Sequence, residues 1–342
     1  MKFLKGLLSL IVLALVIGGA AAGAGWVWMQ DALNRDGPLA EDVVFHVEPG
    51  EGLASVAVRL EQEGIIRDAK LIRLKAKLEN TETDIKTGEF KIERGASMVE
   101  VLHTLIEGKG VLYKITLPEG RTTAQLLKVI EADPVLVGDM PEQDIPEGSL
   151  LPDTYLFDRG MTRAEMIKLM QDKQTELLED LWPKRDPDIP VKTPYEAVIL
   201  ASVVEKETGL VEEQPEIAAL FTTRLKRGMR LESDPTIIYG VSRGEPLYNS
   251  KGQRRTLRRS EIDTKTDWNT YQIDGLPKTP ICNPGRGAIE AVLNPPHTEY
   301  IFFVADGKGG HLFAKTLAEH NRNVAAYRAY ERKEIARERA AE

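Results

Sequence analysis

The sequence predicts an α+β protein: an N-terminal apolar helix, then a small α+β unit, then a larger mixed α/β domain. Three observations predict it. Residues 6–29 carry no charged side chain. From residue 43 onward, short β-rich runs alternate with stretches of helical periodicity. Capping boxes and glycine stops mark where those helices begin and end. At 342 residues and 42% hydrophobic composition, the chain is long and apolar enough for more than one core.

The N-terminal segment has the length and polarity of a membrane anchor. About 20 apolar residues suffice to span a bilayer. Lys2 and Lys5 precede the apolar run, so residues 1–5 are expected in the cytoplasm and 6–29 in the membrane. Trp26 and Trp28 suit the far interface. The alternative is a cleaved signal peptide, for which Ala20-Ala21-Ala22 offers small residues. The retained anchor is preferred because the apolar run continues past those alanines. Either reading exports the rest of the chain, which begins with a linker over 30–42.

Residues 43–112 form the small unit. Val43 to Val47 reads as a strand, and Pro49-Gly50-Glu51-Gly52 as a turn. Leu53, Val56, Ala57 and Leu60 share one helix face, and Gly64 stops that helix. Asp68 caps a second helix carrying Leu71, Ile72, Leu74 and Leu78. Residues 88–92 read as a returning strand, and Ser97 to Glu100 is a capping box for a helix ending at Gly108. The order strand, helix, helix, strand resembles a LysM-type glycan-binding module, although many small α+β units share it. A connecting region, 113–160, holds a strand at 113–117 and a helix at 123–132. It ends with the junction Leu151-Pro152-Asp153-Thr154-Tyr155. The larger domain, 161–332, opens with the capping box Thr162 to Glu165. A charged tail, 333–342, follows.

Composition excludes several functions. A net charge of −8 argues against broad nucleic-acid binding. One cysteine, Cys282, allows neither an intrachain disulfide nor a cysteine zinc site. His46, His103, His297, His311 and His320 form no HExxH or HxxxH pair. The GKGG run lacks the spacing of a phosphate loop.

The strongest chemical signal lies in 195–208, YEAVILASVVEKET, apolar for ten residues and then abruptly charged. Glu205 and Glu207 are two residues apart, so on a helix they point to nearly opposite sides. Glu207 follows Leu200, Val203 and Val204 at seven, four and three residues, the bulkiest apolar stripe. A carboxyl beside such groups loses solvation of its charged form, and its pKa rises. The negative end of the helix dipole pushes the same way. A general acid working near neutral pH needs that condition. The alternative reading of EKET is a solvated helix end.

Downstream, Ser233-Asp234-Pro235-Thr236 signals a helix start, with Asp234 as a cap or a site residue. The basic run around Arg254, Arg255, Arg258 and Arg259 reads as an exposed loop. Trp268-Asn269-Thr270-Tyr271 suits sugar binding, with rings to stack and an amide to hydrogen-bond hydroxyls or an acetamido group. It equally suits a core and turn. Residues 300–305, YIFFVA, read as a buried strand, and Asp306 to Gly310 as the turn of a hairpin with His311 on its return strand.

Taken in order, VEKET (204–208), RLKRGMRLESDPTIIYG (224–240), WNTY (268–271), GLPKTPICNPG (275–285) and YIFFVADGKGGHLF (300–313) resemble the YceG-like endolytic murein transglycosylases. The resemblance covers essentially the whole chain. It departs at Trp268, Lys278, Thr279 and Cys282, and the basic run is longer than the family pattern. It implies a single-pass protein of the cytoplasmic membrane with its C-terminal domain outside. It implies cleavage of the MurNAc-β-1,4-GlcNAc bond in nascent peptidoglycan with a 1,6-anhydro end, terminating strand elongation. No metal or organic cofactor is implied. The partners it implies are glycan strands and the penicillin-binding synthases, not nucleic acid. It makes Glu207 the catalytic residue, with Asn269, Tyr271, Tyr239 and Asp234 as candidates to hold the sugar. Two alternatives stay open: a two-carboxylate muramidase, and a non-catalytic wall-binding scaffold for synthases.

Overall fold

A computed structural model describes residues 2–108 and 110–341. They fall into two units, one of Met1–Tyr113 with Leu156–Gly160, the other of Lys114–Tyr155 with Met161–Glu342. Side chains at 2–11, 14, 335 and 338–342 lie outside the described residues. With them go most of the expected cytoplasmic N-terminus, the first part of the expected span and part of the charged tail.

The first unit begins with helix α1 (Lys2–Asn34). Among the described residues, no helix is long and apolar enough to cross a membrane. Leu15, Val16, Ile17, Trp26, Val27 and Trp28 are exposed on α1, whereas Met29 and Leu33 are buried. The helix therefore continues into residues expected to form a linker, because Leu33 has a core to enter. Strands β1 (Val43–Val47) and β2 (Gly88–Ile92) pair antiparallel, with Phe45 opposite Phe90. Between them lie α2 (Leu53–Gln62) and α3 (Ala69–Glu79), and α4 (Met98–Glu107) follows. Leu53, Val56, Ala57 and Leu60 of α2 pack with Phe45, Phe90, Leu102 and Leu105 in one cluster. Asp68 caps α3, accepting hydrogen bonds from the backbone N–H groups of Lys70 and Leu71. The face of α3 differs from expectation. Ala69, Ile72 and Ala76 face the core, while Leu74 and Leu78 are 44% and 52% exposed. The alanines of α3 thus face the core with Ile72, and Leu74 and Leu78 are turned outward.

Strand β3 (Leu112–Thr116) pairs with β4 (Thr154–Asp158), and the chain passes from one unit to the other within these strands. The second unit contains α5 (Thr123–Ala132), α6 (Arg163–Leu181), α7 (Pro194–Glu207), α8 (Gln214–Lys226), α9 (Asp234–Ser242), α10 (Arg259–Asp263) and α11 (Arg286–Leu293). The antiparallel hairpin β5 (Phe302–Ala305) and β6 (His311–Ala314) and the helix α12 (Leu317–Ala341) complete it. Its core gathers Leu200, Val203 and Val204 of α7, Ile217 and Phe221 of α8, and Ile289 and Val292 of α11. Helix α7 is buried along most of its length, from Ala197 to Val204. Thr193 caps it, and Pro194 supplies the fixed φ that suits a first helical position. Strand β5 is half-buried rather than buried: Phe303 meets Phe221 of α8 and Phe302 stacks on His320 of α12, but the strand pairs with β6 alone and so keeps one unpaired edge.

Candidate active site

Glu207 is the last residue of α7, and Thr208 continues in an extended conformation. Its carboxyl lines a cavity of about 410 Å³ with Arg224, Glu232, Asp234, Tyr271, Phe302, Phe303, Leu317 and His320. One oxygen, Oε1, is buried with no hydrogen-bond partner among the described residues. Burial raises its pKa to about 7, the Ser233 hydroxyl opposes the rise, and the nearby charge of Asp234 adds to it. A carboxyl in this state holds its proton near neutral pH and can release it to a ligand.

Two loops build the wall around it. Ser233 N–H donates to Thr270 Oγ1 at 3.0 Å, and the Thr236 and Thr270 hydroxyls meet at 2.9 Å. Thr236 Oγ1 is also 2.6 Å from the Ser233 carbonyl. Both threonines are fully buried. The pairing locks the start of α9 to the 268–271 segment and places the Tyr271 hydroxyl as donor to Asp234 Oδ1, at 2.9 Å. Burial, and then Asp234, push the Tyr271 phenol well above its ordinary range, so it remains a donor.

On the far side, Arg224 is 5% exposed and pairs with Glu232, whose backbone is left-handed at φ 54. Arg224 Nε and His320 Nδ1 are buried without partners among the described residues, and the His320 ring stacks on Phe302 at 5.2 Å. Burial, and then the charge of Arg224, lower the His320 pKa. Glu213, behind this wall, accepts from the backbone N–H of His311 and meets its Nδ1 at 2.8 Å, tying the β5–β6 hairpin to the chain after α7. The cavity thus offers an acid, a carboxylate with its phenol donor, a buried guanidinium and aromatic surface, which suits a polar ligand with ring faces.

The family model described as YceG-like matches residues 45–326. The chain belongs to the YceG-like family. A Bacillus subtilis relative named endolytic murein transglycosylase is 26% identical over 92% of this chain and 91% of its own length. A Streptococcus pneumoniae protein of the same name is 27% identical over 93% of this chain, which spans 64% of that protein's length. The crystal structure of a YceG-like protein from Listeria monocytogenes aligns with a TM-score of 0.50 at 24% identity. The alignment covers 82% of this chain and 98% of that one.

In this YceG-like chain the structure brings Glu207, Asp234 and Tyr271 together, and places Tyr239 and Asn269 elsewhere. Tyr239 lines a neighbouring cavity and donates to Glu147 Oε2 at 3.1 Å. Asn269 is fully buried and spends its amide on the chain itself. Its Nδ2 donates to the carbonyls of Ile262 and Thr264 at 2.9 and 2.6 Å, and its Oδ1 accepts from Tyr271 N–H. Asn269 therefore shapes the loop that aims Tyr271 and does not line the Glu207 cavity. Asn283 of the 275–285 motif acts likewise: its Oδ1 accepts from Leu150 N–H, and its Nδ2 donates to Thr123 Oγ1. Cys282 is buried and its Sγ donates to the Ser202 carbonyl, so burial holds the thiol well above its ordinary pKa. Sequence reasoning missed Arg224 as a site residue, yet a signal existed. It stands on the stripe Ile217, Leu220, Phe221, Arg224, where a buried apolar residue is due.

Proposed function

We propose that this protein is an endolytic lytic transglycosylase of peptidoglycan. It cleaves the MurNAc-β-1,4-GlcNAc bond within nascent strands and leaves a 1,6-anhydro end, so that strand elongation stops. The observation that carries this reading is the Glu207 carboxyl, with one buried oxygen lacking a partner among the described residues and a pKa raised to about 7, beside a cavity. Protonated Glu207 donates to the glycosidic oxygen while an oxocarbenium-like centre develops. The resulting carboxylate then takes the proton of the sugar's own C6 hydroxyl as that oxygen closes on C1. The nucleophile belongs to the substrate, so high effective molarity replaces an activated water. Asp234, held by the Tyr271 hydroxyl, keeps Glu207 protonated before the step and stabilises positive charge during it. The test uses full-length protein in detergent with purified glycan strands. Wild type should yield products lighter by one water than hydrolytic ends, and Glu207→Gln should yield none.

A second reading is favoured by Asp234 sharing the cavity with Glu207. Most glycosidases set two carboxylates across the bond, the second activating water or attacking C1. Reducing-end products in the same mass measurement would select it.

The reading extends to location and partners. Residues 6–29 anchor the protein once in the cytoplasmic membrane, with the rest outside. The unpartnered apolar side chains of α1, among them Leu15, Val16 and Trp28, support this. External protease should remove everything beyond α1 from spheroplasts. The strand–helix–helix–strand segment, 43–92, acts as a LysM-like glycan-binding unit. Penicillin-binding synthases are the expected partners, because nascent strands emerge from them; cross-linking in living cells tests that.

A further inference from the structure

We propose that a second cavity in the same unit, of about 500 Å³, is a subsite for an acidic peptide branch carried by the glycan; this rests on the transglycosylase reading. Arg121, Lys206, Arg254 and Arg255 line it, against a single carboxylate, Glu245. That is the reverse of the whole chain, which has 53 acidic and 45 basic residues. The cations are not equivalent. Arg255 is spent on Glu261 through two hydrogen bonds, and Arg259 nearby on Asp263. Lys206 reaches the Gly120 carbonyl at 3.1 Å and has two further donors. Among the described residues, Arg121 and Arg254 have no carboxylate within ion-pair distance, and both are exposed at the cavity rim. The floor is apolar, with Ile238, Leu247, Ile281 and the ring of Tyr239.

Cations around an apolar floor fit a short peptide with small apolar side chains and spaced carboxylates, which arginine grips in bidentate fashion. Placement ties this cavity to the Glu207 cavity. Lys206 and Glu207 are consecutive, and so are Asp234 and Pro235; each pair contributes one residue to either cavity. The two cavities therefore adjoin along these two pairs of neighbouring residues, and the proposal seats the sugar at Glu207 and its branch in the basic cavity. Peptide-bearing strands are then preferred over bare ones.

The test compares kcat/KM of the full-length protein on peptide-bearing strands and on the same strands stripped by an amidase. Wild type should prefer the former about tenfold, through KM, the scale of one or two charge-assisted contacts. Arg121→Ala with Arg254→Ala should bring the ratio near one, and Arg121→Lys with Arg254→Lys should restore much of it. Equal ratios in wild type and the alanine pair overturn the proposal. Calorimetry with the free stem peptide and the Glu207→Gln protein reads binding without turnover. Saturable binding that the alanine pair abolishes supports the subsite even if the catalytic reading fails, and no binding overturns it. Competition by inorganic pyrophosphate but not by the peptide assigns the cavity to phosphate and overturns it as well.

Discussion

Two glutamates two residues apart on the last turn of α7 meet opposite fates. Glu205 Oε2 accepts from Gly285 N–H at 3.2 Å and from Gln214 Nε2 at 3.4 Å, so that oxygen is held by the protein. A Cβ at Gly285 would lie 1.9 Å from Glu119 Oε1, so any larger residue there would displace the Glu119 side chain. Glu207 faces the other way, with one buried oxygen unpartnered among the described residues and an opening beside it. Burial raises both pKa values. What distinguishes Glu207 from Glu205 is therefore a buried oxygen without a partner among the described residues, next to space for a ligand, and not a raised pKa alone.

The sharpest way to break that contrast is to neutralise each in turn. Glu207→Gln should lower kcat by roughly two or more orders of magnitude, the scale for losing a general acid, as read by release of anhydro products. The pH profile of the native protein sharpens it further. Activity should hold on the acid side of about 7 and fall as pH rises through it, because the proton to be donated is then lost. Asp234→Asn removes a charge that raises Glu207, so the falling limb should move to lower pH.

Stability should follow pH in the same direction, whereas the substitution itself acts oppositely on stability and on activity. A carboxyl whose folded pKa is raised binds its proton more tightly folded than unfolded. Its contribution is whole below the ordinary carboxylate range and is lost as pH climbs towards 7. At pH 8 Glu207→Gln should therefore stabilise the protein, by on the order of 1–3 kcal/mol, in denaturant titration. Asn269→Ala, which orphans two or three carbonyls, should cost about 1–3 kcal/mol. Smallest is Glu205→Gln, expected to keep activity within about threefold and cost under about 1 kcal/mol. A dead Glu205→Gln beside an active Glu207→Gln would invert the assignment.

Local chemistry was legible in the sequence wherever neighbours in the chain decide the outcome. The boxes Ser97–Glu100 and Thr162–Glu165 are formed, and Asp68 caps α3. The apolar run of α7 and the different faces of Glu205 and Glu207 follow from a 3.6-residue period. What was not legible depends on partners distant in sequence. Leu74 and Leu78 make a good apolar stripe, but the space beside α3 accepts alanines. Asn269 has the chemistry of a sugar ligand, yet three carbonyls of residues 261–264 claim its amide. Tyr239 sits five residues beyond Asp234 on α9, about one and a half turns on, where its hydroxyl meets Glu147. Arg224 was hidden because a lone cation on an apolar stripe means little until Glu232 and Phe302 are seen around it.

The hydroxyl clasp between Thr236 and Thr270 joins positions 34 apart and closes the intervening chain into a loop with fixed ends. Doubling such a loop costs only about 0.6 kcal/mol in closure entropy. Leu247 and Arg254, which line the basic cavity, lie inside it, whereas Glu207, Asp234 and Tyr271 lie outside. On the proposed reading, part of the strand-selecting cavity sits in one tethered excursion that can be edited without changing residues 207, 234 or 271.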